Sequence, residues 1–179
     1  MKFVLHDTQT APTESKPLLE NSIKSFGMIP NLHAVLAESP ATLEAYQNLH
    51  KLFQQTSFNS DELTVVWQTI NVEHNCHYCI PAHTYIAHSM NVDKGVIDAL
   101  NNRTELPTKK LQILHKTVLA LIVNRGHLSE QQLEAFSDAA YTQQNILEIL
   151  LGIAQKVISN YSNHLSKTPV DEPFKKFSL

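Results

Sequence analysis

The 179-residue sequence predicts an all-α fold. Three features carry that expectation. Apolar residues recur at spacings of three and four rather than two. Recognisable helix-start and helix-stop residues bracket the periodic stretches. Apolar residues make up 42% of the chain, enough for one domain with a substantial core.

The elements follow in order. Residues 7–17 are polar and hold Pro12 and Pro17, which predicts a mobile or loosely packed lead segment within residues 1–25. Phe26-Gly27-Met28-Ile29-Pro30-Asn31 reads as a turn with apolar anchors. Asn31 is the expected cap of a short helix that buries Leu32, Val35 and Leu36. Ser39-Pro40 places a proline at a first helical position, and Leu43, Tyr46, Leu49 and Phe53 then repeat at helical spacing to about Gln55. Ser60 is the expected cap of the next helix, whose face is Leu63, Val66, Trp67 and Ile70. A strand over 63–72 is the alternative there, because Thr and Val are frequent. Further helices are expected over 76–90 and around Val92–Leu100. Another starts at Pro107 and stops at Gly126, and one more follows the capping box Ser129-x-x-Gln132. A last long helix over 142–164 is apolar around more than half its circumference, which predicts a place in the core or against another subunit. Pro169 and Pro173 punctuate the tail, 173–179.

Composition narrows the function. Lys plus Arg is 14 against 17 Asp plus Glu, a formal charge of −3 with no basic run, which argues against a nucleic-acid partner. Only four glycines are present, and neither a dinucleotide-binding nor a phosphate-loop motif occurs. The apolar patch at Met1–His6 is too short for a signal peptide, and no run reaches the ~18 apolar residues of a membrane span. A cytoplasmic protein without a membrane partner is expected. Two cysteines three apart in a reducing compartment suggest chemistry or metal rather than a structural staple.

The informative stretch is residues 73–88. On a helix Cys76, Cys79 and His83 stand at i, i+3 and i+7, on one stripe. Pro81 requires that the helix begin shortly before it, so both cysteines fall near the first turn. Free N–H groups and the helix dipole favour a thiolate there. His83, one turn beyond Cys79, can take the thiol proton or stabilise the thiolate. The set suits thiol redox chemistry: Cys79 attacks a hydroperoxide, and Cys76 condenses with the resulting sulfenic acid. The reverse order of the two cysteines is the alternative, since Cys76 lies nearer the helix start.

Glu73-His74-Asn75-Cys76-His77-Tyr78-Cys79-x-x-Ala82-His83-Thr84 resembles the signature of the carboxymuconolactone decarboxylase superfamily, in its alkylhydroperoxidase D-like branch. Gly27-Met28-Ile29-Pro30-Asn31, Arg125-Gly126-His127-Leu128-Ser129, Asn160-Tyr161-Ser162-Asn163-His164 and Thr168-Pro169-Val170-Asp171 extend the likeness over residues 26–172. The resemblance implies an AhpD-like helical domain over 26–172, with the C-x-x-C pair at the start of a central helix. It implies assembly as homotrimers or homohexamers. It implies peroxidase activity on organic hydroperoxides or hydrogen peroxide, with a thioredoxin-like or lipoyl dithiol as reductant and no cofactor or metal. It also implies Cys79 as the peroxidatic thiol and His83 as the family histidine. The glutamate that active members carry twelve residues before the first cysteine is Thr64 here, and the histidine before the second is Tyr78. Glu73, close in sequence to the cysteines, is the expected substitute in the proton relay. Two other readings stand beside the peroxidase: a non-enzymatic helical oligomer or thiol redox sensor, and a zinc-binding protein with Cys76, Cys79 and His83 as ligands.

Overall fold

The computed structural model describes residues 2–178; Met1 of the N-terminal patch and Leu179 of the tail lie outside them. Nine α-helices succeed one another, with no strand among the described residues. They are α1 Lys16–Phe26, α2 Asn31–Leu36, α3 Pro40–Gln54, α4 Ser60–Glu73, α5 Cys79–Ser89, α6 Lys94–Asn102, α7 Lys109–Val123, α8 Glu130–Asp138 and α9 Gln143–Ser166. A 3-10 helix, Glu172–Phe177, folds back on α5. No described helix is long and apolar enough to cross a membrane.

The helix at 63–72 displaces the strand alternative because its polar residues have partners only a helix can align. Asn59, not Ser60, caps α4: its side chain accepts from the Glu62 N–H, and the Glu62 carboxylate accepts from the Asn59 N–H. The helix is buried nearly throughout and packs against α5, α6, α7 and α9. Asn31 is not a cap either. It is the first residue of α2, and its N–H donates to the Asp171 carboxylate from the far end of the chain.

The lead segment is anchored at Ala11, Ser15, Leu19 and Ser22, while residues 2–5 stay exposed. Pro17 falls in the first turn of α1, where no N–H is needed, so it starts a helix instead of breaking one. Leu19 is fully buried, and the Ser15 hydroxyl donates to the Ala37 carbonyl at 2.7 Å. Gly27, at φ 72°, closes α1 in the left-handed region.

Two apolar clusters result. The larger holds Phe53, Trp67, Ile70, Leu114 and Ile149, and gathers α4, α6, α7 and one side of α9. The smaller holds Leu19, Leu32, Leu43 and Tyr46 with both cysteines. Helix α9 runs close beside α3 and α4. At Gly152 an added Cβ would stand 2.9 Å from the Phe53 ring and 3.0 Å from Val66, so a side chain there collides with the core.

The orientation of α9 departs from the apolar-in rule. From Gln155 onward its buried face is polar: Gln155, Lys156, Ser159, Asn160 and Asn163. Its exposed face carries Leu147, Leu150, Tyr161 and Leu165, with Leu147 66% and Leu165 72% accessible.

Candidate active site

The chain enters the site through a tight turn. Asn75, at φ 50°, takes the left-handed conformation that follows the end of α4, and the Cys76 N–H donates back to the Asn71 carbonyl at 3.0 Å. Three residues on, Cys79 opens α5. Its N–H donates to the Cys76 sulfur at 3.3 Å, so the first thiol occupies one of the free N–H groups of the helix start. Two α4 side chains fix this turn. The Gln68 amide donates to the Ile80 carbonyl at 3.0 Å, and the Asn71 amide donates to the Cys79 carbonyl at 3.3 Å. Helix α5 thus begins at Cys79 rather than Cys76, with Pro81 in its first turn as the sequence requires. Both cysteines are free thiols and both are buried.

The buried polar face of α9 closes over them. The Asn163 amide donates to the Cys79 sulfur at 3.2 Å. The Lys156 ammonium stands 2.8 Å from His83 Nε2, fully buried, and among the described residues no carboxylate pairs with it. An ammonium has no acceptor, so it donates to Nε2. The neutral ring then carries its proton on Nδ1, which is buried and finds no partner among the described residues. The Trp67 ring lies 4.9 Å from the His83 ring, centroid to centroid, and its N–H donates to Gln155 at 2.7 Å. Gln155 in turn holds His50 at 3.0 Å, and the His50 ring stacks on Trp67 at 5.4 Å.

These contacts divide the two thiols. Burial opposes ionisation of Cys79. The Cys76 thiol, the Lys156 charge, and hydrogen bonds from Ser159 and Asn163 overcome that penalty and hold Cys79 down at about 6, against an ordinary 9.0. Cys76 moves the other way: its hydrogen bond to the Cys79 sulfur, its own burial and the neighbouring negative charge push it well above the thiol range. Burial, the adjacent Lys156 charge and His50 hold His83 well below the usual imidazole value, so it is neutral at pH 7. Burial also lowers Lys156, and the two sulfurs act against that, chiefly Cys79. Cys79, Lys156 and a neutral histidine thus share one buried pocket, in which the sulfur and the amine each favour the charged form of the other.

The sequence-predicted residues separate accordingly. Cys76, Cys79 and His83 come together. Glu73 does not join them: it is exposed at the end of α4, lines a separate hollow of about 260 Å³ with Arg103 and His115, and makes no hydrogen bond to either cysteine or to His83. Thr64 is buried in α4, and Glu62 is committed to Tyr141 and Lys110. Lys156, Ser159 and Asn163 are the site residues that sequence reasoning missed. A signal existed: Lys156 is the one formal charge between Glu148 and His164, in a stretch otherwise uncharged. Among the described residues no group of three or more His, Cys, Asp or Glu is disposed to hold a metal ion.

A cleft of about 610 Å³ leads to the site. Cys79, His83 and Lys156 form its floor, Tyr46 and Tyr78 its lower walls, and Phe26, Met28, Tyr85 and Phe174 its apolar upper part.

Neither a protein-family profile nor a curated protein sequence matches the chain. Solved structures do match. An uncharacterised peroxidase-related protein from Ralstonia eutropha JMP134, described as an alkylhydroperoxidase AhpD core, superposes with a TM-score of 0.84 over 97% of this chain and 93% of its own, at 16% identity. The debrominase Bmp8, solved as a cysteine-to-alanine variant in complex with 2,3,4-tribromopyrrole, superposes with a TM-score of 0.80 over 99% and 95%, at 14% identity. A peroxidase-related protein from Silicibacter sp. TM1040 gives 0.80 over 97% and 92%, again at 14% identity. The class is therefore that of small all-helical proteins, and this chain sets its cysteine pair at the start of a buried helix. Within it, the fold of this chain is the AhpD-like fold.

Proposed function

We propose that the protein is a thiol-dependent peroxidase that reduces organic hydroperoxides or hydrogen peroxide through Cys79 and Cys76. The observation that supports this reading is the arrangement of the pair: two free, buried thiols at a helix start, with the Cys79 sulfur taking a hydrogen bond from Asn163 and lining a cleft together with His83 and Lys156. The Cys79 thiolate attacks the distal peroxide oxygen. An S–O bond forms and the O–O bond breaks; sulfur loses two electrons and the leaving alkoxide takes up a proton. The buried Lys156 ammonium is the acid that supplies that proton, by way of His83, because oxidation of Cys79 removes the negative charge that kept Lys156 protonated. The Cys76 thiol then attacks the sulfenic sulfur. An S–S bond forms, and water leaves with the Cys76 proton. A dithiol of the thioredoxin-like or lipoyl type reduces the disulfide and is itself oxidised.

The test is turnover of hydrogen peroxide and cumene hydroperoxide with dithiothreitol, with 2,3,4-tribromopyrrole assayed in parallel. Cys79→Ser is expected to reduce turnover to background. Cys76→Ser is expected to stall with one added oxygen on Cys79, seen by mass spectrometry. Undiminished turnover in Cys79→Ser would overturn the assignment. Release of bromide without peroxide reduction would redirect it to the debrominase chemistry of the fold relative.

Self-association as a homotrimer or homohexamer belongs to the same reading. The outward α9 face repeats apolar residues at 147, 150, 154, 157 and 161, the three-four spacing of a helix seam. Each exposed leucine forgoes about 1.5–3 kcal/mol that burial would contribute. Light scattering is expected to show an oligomer for the wild type and a monomer for the Leu147→Glu, Leu165→Glu double variant. A monomeric wild type would remove the proposal.

A further inference from the structure

We infer that the cleft selects anionic amphiphiles, its natural substrate being the hydroperoxide of an apolar chain that ends in a carboxylate, with the carboxylate at Lys51 and the peroxide on Cys79. The inference rests on the peroxidase reading for its reactive end, while its charge preference stands on the cleft itself.

The protein carries more acidic than basic residues, yet among the described residues no Asp or Glu lines this cleft. Two lysines do. Lys156, at the floor, is matched by the Cys79 thiolate. Lys51 is exposed, lines the rim, and has no ion-pair partner among the described residues. The histidines of the lining add no charge at neutral pH: burial, with His50 nearby, brings His33 down to about 3, and burial, with Lys156 nearby, brings His50 down to about 4. The formal charge left on the lining is thus one cation at the entrance.

The rest of the lining is uncharged and mixed, with Phe26, Met28, Leu32, Ile86 and Phe174 supplying apolar surface beside Asn, Gln, Ser and Tyr side chains, and a volume of about 610 Å³ falls in the range of small-molecule sites. At the floor, His83 Nδ1–H is a buried donor without a partner among the described residues. A buried donor left unmade is costly, so its presence points to an occupant with an acceptor oxygen. A rim cation, an uncharged lining with an apolar share and a buried floor donor match a carboxylate, an alkyl chain and a peroxide oxygen, in that order. A cationic or zwitterionic substrate finds no counter-charge along the lining.

Ligands without a peroxide group separate binding from chemistry on the reduced wild type, where the Cys79 sulfur stays in place opposite Lys156. Calorimetry with a medium-chain fatty acid, its methyl ester and its primary alcohol is expected to show the acid binding ~5- to 10-fold tighter than either neutral analogue. Lys51→Glu is expected to abolish that preference. In the wild type, the ratio of kcat/KM for a fatty-acid hydroperoxide to that for its methyl ester should exceed one and collapse in Lys51→Glu. Equal binding of acid and ester, or a preference untouched by Lys51→Glu, would overturn the inference. Preferential binding of the acid without any hydroperoxide turnover would sustain the cleft's charge selection and sink the peroxidase reading instead.

Discussion

Replacing Lys156 by methionine is expected to cost the Cys79 thiolate its counter-charge and to move its midpoint from about 6 to at least the ordinary 9.0. Burial already opposes the thiolate, and Lys156 is the formal cation among the groups that counter it. At pH 7 the thiolate fraction would fall, and the rate of any reaction of the thiolate with it, by roughly tenfold or more. The readout is the rate of alkylation by iodoacetamide against pH. For the wild type it rises through pH 6 and then levels; for Lys156→Met it is still rising at pH 8. A midpoint that stays near 6 would show that Cys76, Ser159, Asn163 and the helix start suffice without the cation.

Stability follows the same group with a definite sign. The folded value of Cys79 lies below its unfolded value, so its stabilisation is complete above about 9.0 and is lost as pH falls through about 6. Cys76, pushed upward, opposes folding only above the ordinary thiol value. The reduced wild type should therefore gain thermal stability between pH 6 and 9, and Lys156→Met should lose that slope. The variant should also be more stable than the wild type at pH 5, where the buried ammonium has lost its thiolate partner.

Asp171→Ala is expected to destabilise the protein by ~3 kcal/mol, read from urea unfolding. The Asp171 carboxylate is buried and takes a hydrogen bond from the Tyr78 hydroxyl at 2.5 Å and from the Asn31 N–H at 3.1 Å. It thereby ties the end of the chain to the start of α2 and to the residue just before Cys79. Removing it leaves a phenol hydroxyl and a helix-end N–H without their acceptor. Asp171→Asn keeps a carbonyl oxygen in place and should lose less than half as much. Because Tyr78 also lines the cleft, Asp171→Ala should alter alkylation of Cys79 as well. A change below ~0.5 kcal/mol would mean that water replaces the carboxylate at no cost.

Much of this arrangement is legible from the residues. The spacing of Cys76, Cys79 and His83, with Pro81 inside the first turn, places a thiol at a helix start, and the structure puts Cys79 there. The helical periods of α3, α4 and α7 and the capping box of α8 are local, so local rules find them. The α9 face is where such rules fail. Apolar periodicity places leucines inward, but the inward face holds the lysine and amides that the thiols require. Whether a helix buries its polar or apolar side is decided by what it packs against, and that information lies elsewhere in the chain. His83 and Lys156 are 73 residues apart, and Asn31 and Asp171 are 140 apart. Glu73 illustrates the converse: three residues from Cys76 in sequence, it ends on a different surface because α4 stops and the chain reverses at Asn75.

The indole in contact with both His50 and His83 has a practical consequence. Trp67 is the single tryptophan of the chain, so the protein's native emission arises at one ring, next to the group that contacts Lys156. Fluorescence is thus an unlabelled optical gauge of this pocket. Changes in protonation, oxidation or occupancy can be followed in real time on the unmodified chain, with no second chromophore of the same kind to dilute the signal.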